Sequence, residues 1–154
     1  MRAKRDYHIL LVEDNPDHIE LIMEALENSD SANQIAIVRD GEEALDYIYR
    51  RGKYLSLNIA KPDFLLLDIK LPRKDGFQVL SQVKKDSRLK TIPIILLTTS
   101  GTETEIEKGY RLGANSFVIK PLNFKEFTEK IKDIQMYWEW TNILPAALNP
   151  SSQG

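Results

Sequence analysis

Five residues carry side chains whose types combine into one chemistry. Glu13, Asp14 and Asp68 are carboxylates, Thr98 is a hydroxyl and Lys120 is an ammonium. Three carboxylates brought together repel one another, and a hard divalent cation relieves that repulsion. Mg²⁺ takes a few carboxylate oxygens and completes its octahedron with water and phosphate oxygens. A carboxylate held beside it is a nucleophile towards a phosphoryl donor. The ammonium of Lys120 and the hydroxyl of Thr98 would then share the charge on the transferred group. Taken singly, each residue has an ordinary reading. Glu13 or Asp14 would cap or open a helix, Asp68 would sit in a turn, Thr98 would be a β-branched strand residue and Lys120 a solvated lysine. The case for chemistry is that four strand ends, taken in order, each carry a type the chemistry needs.

Those strands follow from the apolar pattern. His8 to Val12 is a buried-strand candidate, and Glu13-Asp-Asn-Pro16 after it is a polar turn with a proline suited to a helix start. Ile19, Ile22, Met23 and Leu26 recur at helical spacing. Gln34 to Arg39 is a weaker second strand, and Asp40 would cap the helix whose apolar side holds Ala44, Leu45 and Ile48. Phe64 to Asp68, Pro93 to Thr98 and Ser116 to Ile119 are further strands. Helices are expected over Gly76 to Asp86, over Glu103 to Leu112, and from about Asn123. Strands alternating with helices indicate an α/β fold with a parallel sheet, and wholly apolar strands indicate cover on both faces. In such sheets ligands lie beyond the carboxyl ends of the strands. Arg51 to Pro62 is a long connection whose Tyr54, Leu55, Leu57 and Ile59 would cover the sheet.

Composition narrows the function. The net charge of −2 argues against a nucleic-acid binder, and the absence of cysteine excludes disulfides, thiol catalysis and cysteine-based metal sites. The start of the chain lacks the apolar run of a secretory signal, and no apolar run approaches the ~20 residues that span a bilayer. A cytoplasmic protein without membrane association is expected. The length suits one domain over residues 1–144, with a core of about 7–137 and a disordered tail at 145–154.

Leu11-Val-Glu-Asp-Asn15, Leu67-Asp-Ile-Lys-Leu-Pro72 with Asp75-Gly76, Leu97-Thr98 and Lys120-Pro121 resemble the receiver domains of two-component response regulators. The resemblance covers about residues 7 to 137. It implies a flavodoxin-like, doubly wound five-stranded parallel sheet of order 2-1-3-4-5 with an extended C-terminal helix. It also implies roles. Asp68 is the phosphoacceptor. Asp14, Asp68 and the backbone carbonyl of Lys70 bind Mg²⁺, and Glu13 acts through a metal-bound water. Thr98 is the switch hydroxyl, Phe117 the aromatic switch and Lys120 the partner of the phosphoryl group. The Lys120–Pro121 bond is expected to be cis, and Gly76 to relieve backbone strain in the turn it forms with Asp75. Glu13 stands where many relatives have Asp, and Phe117 where many have Tyr. Val12-Glu-Asp-Asn-Pro-Asp17, the aromatic stretch Tyr47 to Tyr54 and Trp138-Glu-Trp140 are similar to the stand-alone receivers that serve cyanobacterial phytochromes. The partner so implied is a sensor histidine kinase, of phytochrome type.

In the last helix, Phe124, Phe127, Ile131, Ile134 and Trp138 form one apolar stripe that would dock on the sheet. Tyr137 and Trp140 form a second, and Trp138 and Trp140 cannot share one helical face. An exposed aromatic patch built from Phe124, Tyr137, Trp138 and Trp140 is therefore expected, as the interface of a homodimer.

The leading expectation is a phosphoaccepting signalling protein, not an enzyme with a released product, which acts on a downstream protein. Two variants of it are a phosphorelay intermediate and a degenerate receiver that works as a protein-binding module. A direct DNA-binding regulator is disfavoured because too few residues follow Tyr137 for a helix-turn-helix module. A phosphatase with an aspartyl intermediate would need an acid two residues after Asp68, where Lys70 stands. A flavodoxin would need a phosphate cradle, and Glu13-Asp-Asn-Pro16 is acidic and free of glycine.

Overall fold

A computed structural model describes residues 7–27 and 33–141. Five parallel strands, β1 (Tyr7–Val12), β2 (Asn33–Val38), β3 (Phe64–Asp68), β4 (Ile94–Thr98) and β5 (Ser116–Ile119), form one sheet of order 2-1-3-4-5. The helices are α1 (Pro16–Glu27), α2 (Gly41–Tyr49), α3 (Gly76–Lys85), α4 (Glu103–Arg111) and α5 (Phe124–Gln135). A π-helical turn, Met136–Thr141, extends α5, and a 3-10 turn, Gly52–Tyr54, lies in the connection before β3.

Alternation along the central strands builds two cores. Leu10, Val12, Leu65, Leu67, Ile94 and Leu96 face one way, towards Leu45 of α2 and Val79, Leu80 and Val83 of α3. Ile9, Leu11, Phe64, Leu66, Ile95 and Leu97 face the other way, towards Ile22 and Leu26 of α1 and Phe127, Ile131 and Ile134 of α5. Burying one such side chain contributes about 1.5–3 kcal/mol, so these strands are the stiff centre of the molecule.

The helix starts carry the expected chemistry. The Asp40 carboxylate accepts from the Glu43 N–H at 2.7 Å. Asp75 and Gln78 close a reciprocal capping box at the start of α3. Asn123 caps α5, and Thr102 caps α4. Asn15 accepts from the N–H groups of Asp17 and His18 ahead of the first turn of α1, whose first residue is Pro16.

Three expectations are corrected. The Lys120–Pro121 bond is trans, as is every bond among the described residues. The trans form is the lower-energy one even before proline, and the Lys120 N–H already extends the ladder by donating to the Thr98 carbonyl at 2.7 Å. Gly76 does not have a left-handed backbone. It is needed because a Cβ there would lie 2.3 Å from the Asp68 carbonyl oxygen and 2.7 Å from Ile69 Cα. In the last helix Phe127, Ile131, Ile134 and Trp138 are buried, but Phe124 is 70% exposed. Phe124 is the first residue of α5 and belongs to neither core. Trp138 belongs to the core, as the docked stripe required and the exposed patch did not, while Tyr137 stays exposed with its ring edge-on to Trp138. The side chain of Trp140 and the tail at 145–154 lie outside the described residues.

Candidate functional site at the strand ends

Register brings the candidate residues together. Val12 pairs with Leu67, so the next step along β1 sets Glu13 beside Asp68. Asp68 pairs with Leu97, which sets Thr98 one step beyond it. Thr98 pairs with Ile119, and Lys120 follows. Parallel strands in this register end on one edge, and their last side chains share it.

The site is buried at its base and open at its rim. Glu13, Asp68, Thr98 and Lys120 are buried, and Asp14 is exposed. The Glu13 N–H donates to the Val38 carbonyl at 3.0 Å, which holds the residue over the sheet. Oxygens of Glu13, Asp14 and Asp68 all lie within 4.8 Å of one another. The Lys120 ammonium donates to Glu13 Oε1 in a short contact, and to Asp68 Oδ2 at 3.2 Å. The Lys70 N–H reaches Asp68 Oδ1 at 3.3 Å.

Electrostatics follow from this crowding. Burial pushes the Asp68 carboxyl up to about 6 from its ordinary 3.8. The neighbouring Glu13 adds to the rise and Lys120 offsets part of it. Three carboxylates against one ammonium leave two negative charges uncompensated. That deficit and the all-oxygen donor set fit a hard divalent cation. Removing one ammonium or adding a cation would change the balance strongly, because Glu13, Asp68 and Lys120 are desolvated.

Thr98 is at the site but turned away from Asp68. Its hydroxyl donates to the Ser100 carbonyl at 3.1 Å and accepts from the Ser100 N–H at 3.3 Å. Phe117, one strand over, is half-buried against the core on the α3 side, with Gly109 of α4 beneath its ring. The loop after β3 carries Arg73 at φ 70°, a left-handed conformation, with its guanidinium 3.1 Å from Glu42 and 3.7 Å from Asp40 of the neighbouring loop and helix.

Sequence reasoning passed over His18. Its Nδ1 lies 3.1 Å from Lys120 Nζ and 3.7 Å from Glu13 Oε1, and its ring packs on Phe127 with centroids 5.4 Å apart. Burial and then the Lys120 charge push its pKa down. The available signal was positional, since a residue in the first turn of α1 shares the edge where β1 ends.

Among the described residues no helix is long and apolar enough to cross a membrane. Residues 9–132 match the family model of the response regulator receiver domain. The probable methanogenesis regulatory protein FilR2 of Methanothrix harundinacea is 40% identical over 146 residues, which cover 94% of this chain and 92% of the relative. Response regulator Rcp1 of Synechocystis is 37% identical over 139 residues, 90% of this chain and 93% of the relative. The crystal structure of the phosphorylated cyanobacterial phytochrome response regulator RcpA matches with a TM-score of 0.87 at 41% identity, over 91% of this chain and 99% of that one. The Mn²⁺-bound form of Rcp1 matches with a TM-score of 0.86 at 36% identity, over 90% and 99%. The chain belongs to the response regulator receiver domain family, and by its likeness to phytochrome response regulators its part in two-component signalling is that of a phosphoacceptor.

Proposed function

We propose that Asp68 is the phosphoacceptor and that Mg²⁺, held by Asp14, Asp68 and the Lys70 carbonyl with Glu13 behind it, is the working cation. The observation that carries this reading is the convergence of three carboxylates on one ammonium at the strand ends. When bound, the cation neutralises charge on the transferred group and lets Asp68 act as an ionised nucleophile. An Asp68 oxygen attacks the phosphorus of a phosphohistidine. The P–N bond breaks as the new P–O bond forms, and the donor imidazole leaves with the electron pair and takes a proton from solvent. Lys120 passes one of its N–H bonds from Asp68 to a phosphoryl oxygen. The Thr98 hydroxyl turns from Ser100 towards the same group, and Phe117 follows into the space it leaves. Phosphorylation thereby biases an equilibrium between two conformations.

The donor is a sensor histidine kinase, and its phytochrome type is supported by the likeness to RcpA and Rcp1. The protein acts in the cytoplasm on a downstream protein and releases no product as an enzyme would. A homodimer through β5 and α5 is the further part of this reading. A groove of about 460 Å³ runs between them, lined by Phe117, Ile119, Lys130, Asp133, Tyr137 and Trp138, with Tyr137 49% exposed at its rim. Light scattering that gives the mass of one chain at all concentrations, with and without phosphorylation, would remove the dimer from it.

The deciding experiment is incubation with phosphoramidate or acetyl phosphate, with and without Mg²⁺, read by intact mass. The expected result is one added phosphoryl group that requires Mg²⁺ and is absent in Asp68→Asn. Labelling that persists in Asp68→Asn would overturn the assignment. No labelling with any donor would leave a degenerate receiver acting as a binding module.

A further inference from the structure

His18 sits in the first turn of α1, its side chain 24% exposed, and meets the site from the helix side. A lysine ammonium has three donors and no lone pair. The His18 Nδ1 that faces Lys120 Nζ at 3.1 Å is therefore the unprotonated, accepting nitrogen, and the ring proton is on Nε2. The other two donors of Lys120 go to Glu13 and to Asp68. All three are engaged by protein, at a residue only 4% exposed. Of the three acceptors, Asp68 changes chemically on phosphorylation and Glu13 borders the cation site. His18 is neither the phosphoacceptor nor one of the clustered carboxylates.

We propose that His18 is the positioning residue for Lys120, a fixed neutral acceptor that holds the ammonium so that a single N–H is free to follow the charge from Asp68 to the phosphoryl oxygens. The proposal rests on the reading of Asp68 as phosphoacceptor. Without His18, one donor of a buried ammonium is unpaired, and the side chain swings to satisfy it. The preorganised geometry that stabilises the transferring group is then lost.

The test compares His18→Leu and His18→Asn with the wild type in Mg²⁺-dependent labelling by phosphoramidate, alongside thermal unfolding. Leucine keeps apolar contact with Phe127 and removes the acceptor. Asparagine loses that contact and restores an acceptor, because its Oδ1 stands the same number of bonds from Cα as Nδ1. The expected result is labelling about tenfold slower in His18→Leu with its melting temperature near that of the wild type. His18→Asn should label within about threefold of the wild type even where its melting temperature falls. A Lys120→Met background should abolish the difference between leucine and histidine, since the effect acts through the ammonium. Wild-type rates in His18→Leu, or an asparagine variant as slow as the leucine one, would overturn the proposal while Asp68 stands. A wild-type protein that takes no label would overturn both, and the two failures are told apart by that control.

Discussion

β3 and β5 both deliver a working residue to the same edge, yet their surroundings differ. Every residue of β3 is buried, from Phe64 to Asp68, between strands β1 and β4 and under two layers of helix. β5 is the edge strand, four residues long, with none fully buried and Ile119 42% exposed. Its neighbour α4 buries one residue, Gly109. The contrast separates two tasks. Asp68 and Glu13 must hold a fixed geometry around charge and are set in the stiff centre. Phe117 and α4, which the proposed switch would move, lie where little packing opposes movement, while Thr98 is fully buried at the end of β4. The sheet sets the two surroundings on strands separated by β4 alone.

The sharpest test of that contrast is stability. Leu66→Ala in β3 should cost about 2–5 kcal/mol in urea unfolding, because it removes a fully buried side chain from a site that cannot collapse. Val118→Ala in β5, at a half-buried position, should cost clearly less. Equal losses would mean that the edge is as tightly held as the centre.

The second test concerns the charge at the centre. Asp68 ionises at about 6 in the metal-free fold and near 3.8 when unfolded. Between those values the folded state holds a proton that the unfolded state has released, so the wild type loses stability as pH rises from about 4 to about 6. Asp68→Asn has no such loss. Its stability relative to the wild type should grow across that window by up to about 3 kcal/mol and then level off. Paired denaturation curves at pH 4, 5, 6 and 7 without Mg²⁺ measure it, and a constant difference would show that the site is not strained by charge. Adding Mg²⁺ should restore much of the wild-type stability.

The smallest effect is expected at the edge. A methyl on Gly109 would meet Leu96 Cδ1 at 2.8 Å and the Phe117 ring at 3.0 Å. Since alanine favours the helix by up to about 1 kcal/mol over glycine, Gly109→Ala should change stability by less than about 1 kcal/mol net. It should nonetheless displace the Phe117 ring, visible as shifted NMR resonances of Phe117 and Leu96. Unchanged resonances would show that α4 yields instead of the ring.

How far this could be read in advance varied by residue. The strands were legible because β1, β3 and β4 are apolar apart from His8, Asp68 and Thr98, short runs of the kind a sheet covered on both faces produces. Asp68, Thr98 and Lys120 were legible because polar residues at the ends of such strands are few and chemically matched. Phe124 and Trp138 were each expected both in the docked stripe and in the exposed patch; Phe124 proves exposed and Trp138 buried. Helical spacing says which residues share a stripe, but not where along the stripe the sheet ends. The close approach at Gly76 was out of reach, since it is set by how the loop after β3 folds back on Asp68 and Ile69.

The order of residues along the chain by itself determined the alternation of strands and helices, the caps and the strand-end chemistry, because periodicity and side-chain type are local properties. The tertiary structure alone decided that Lys120 bridges Glu13 and Asp68, that Thr98 faces its own loop, and that His18 reaches the ammonium from α1. Those contacts join residues up to 107 positions apart. Their geometry is fixed by register and helix packing, which no local pattern encodes.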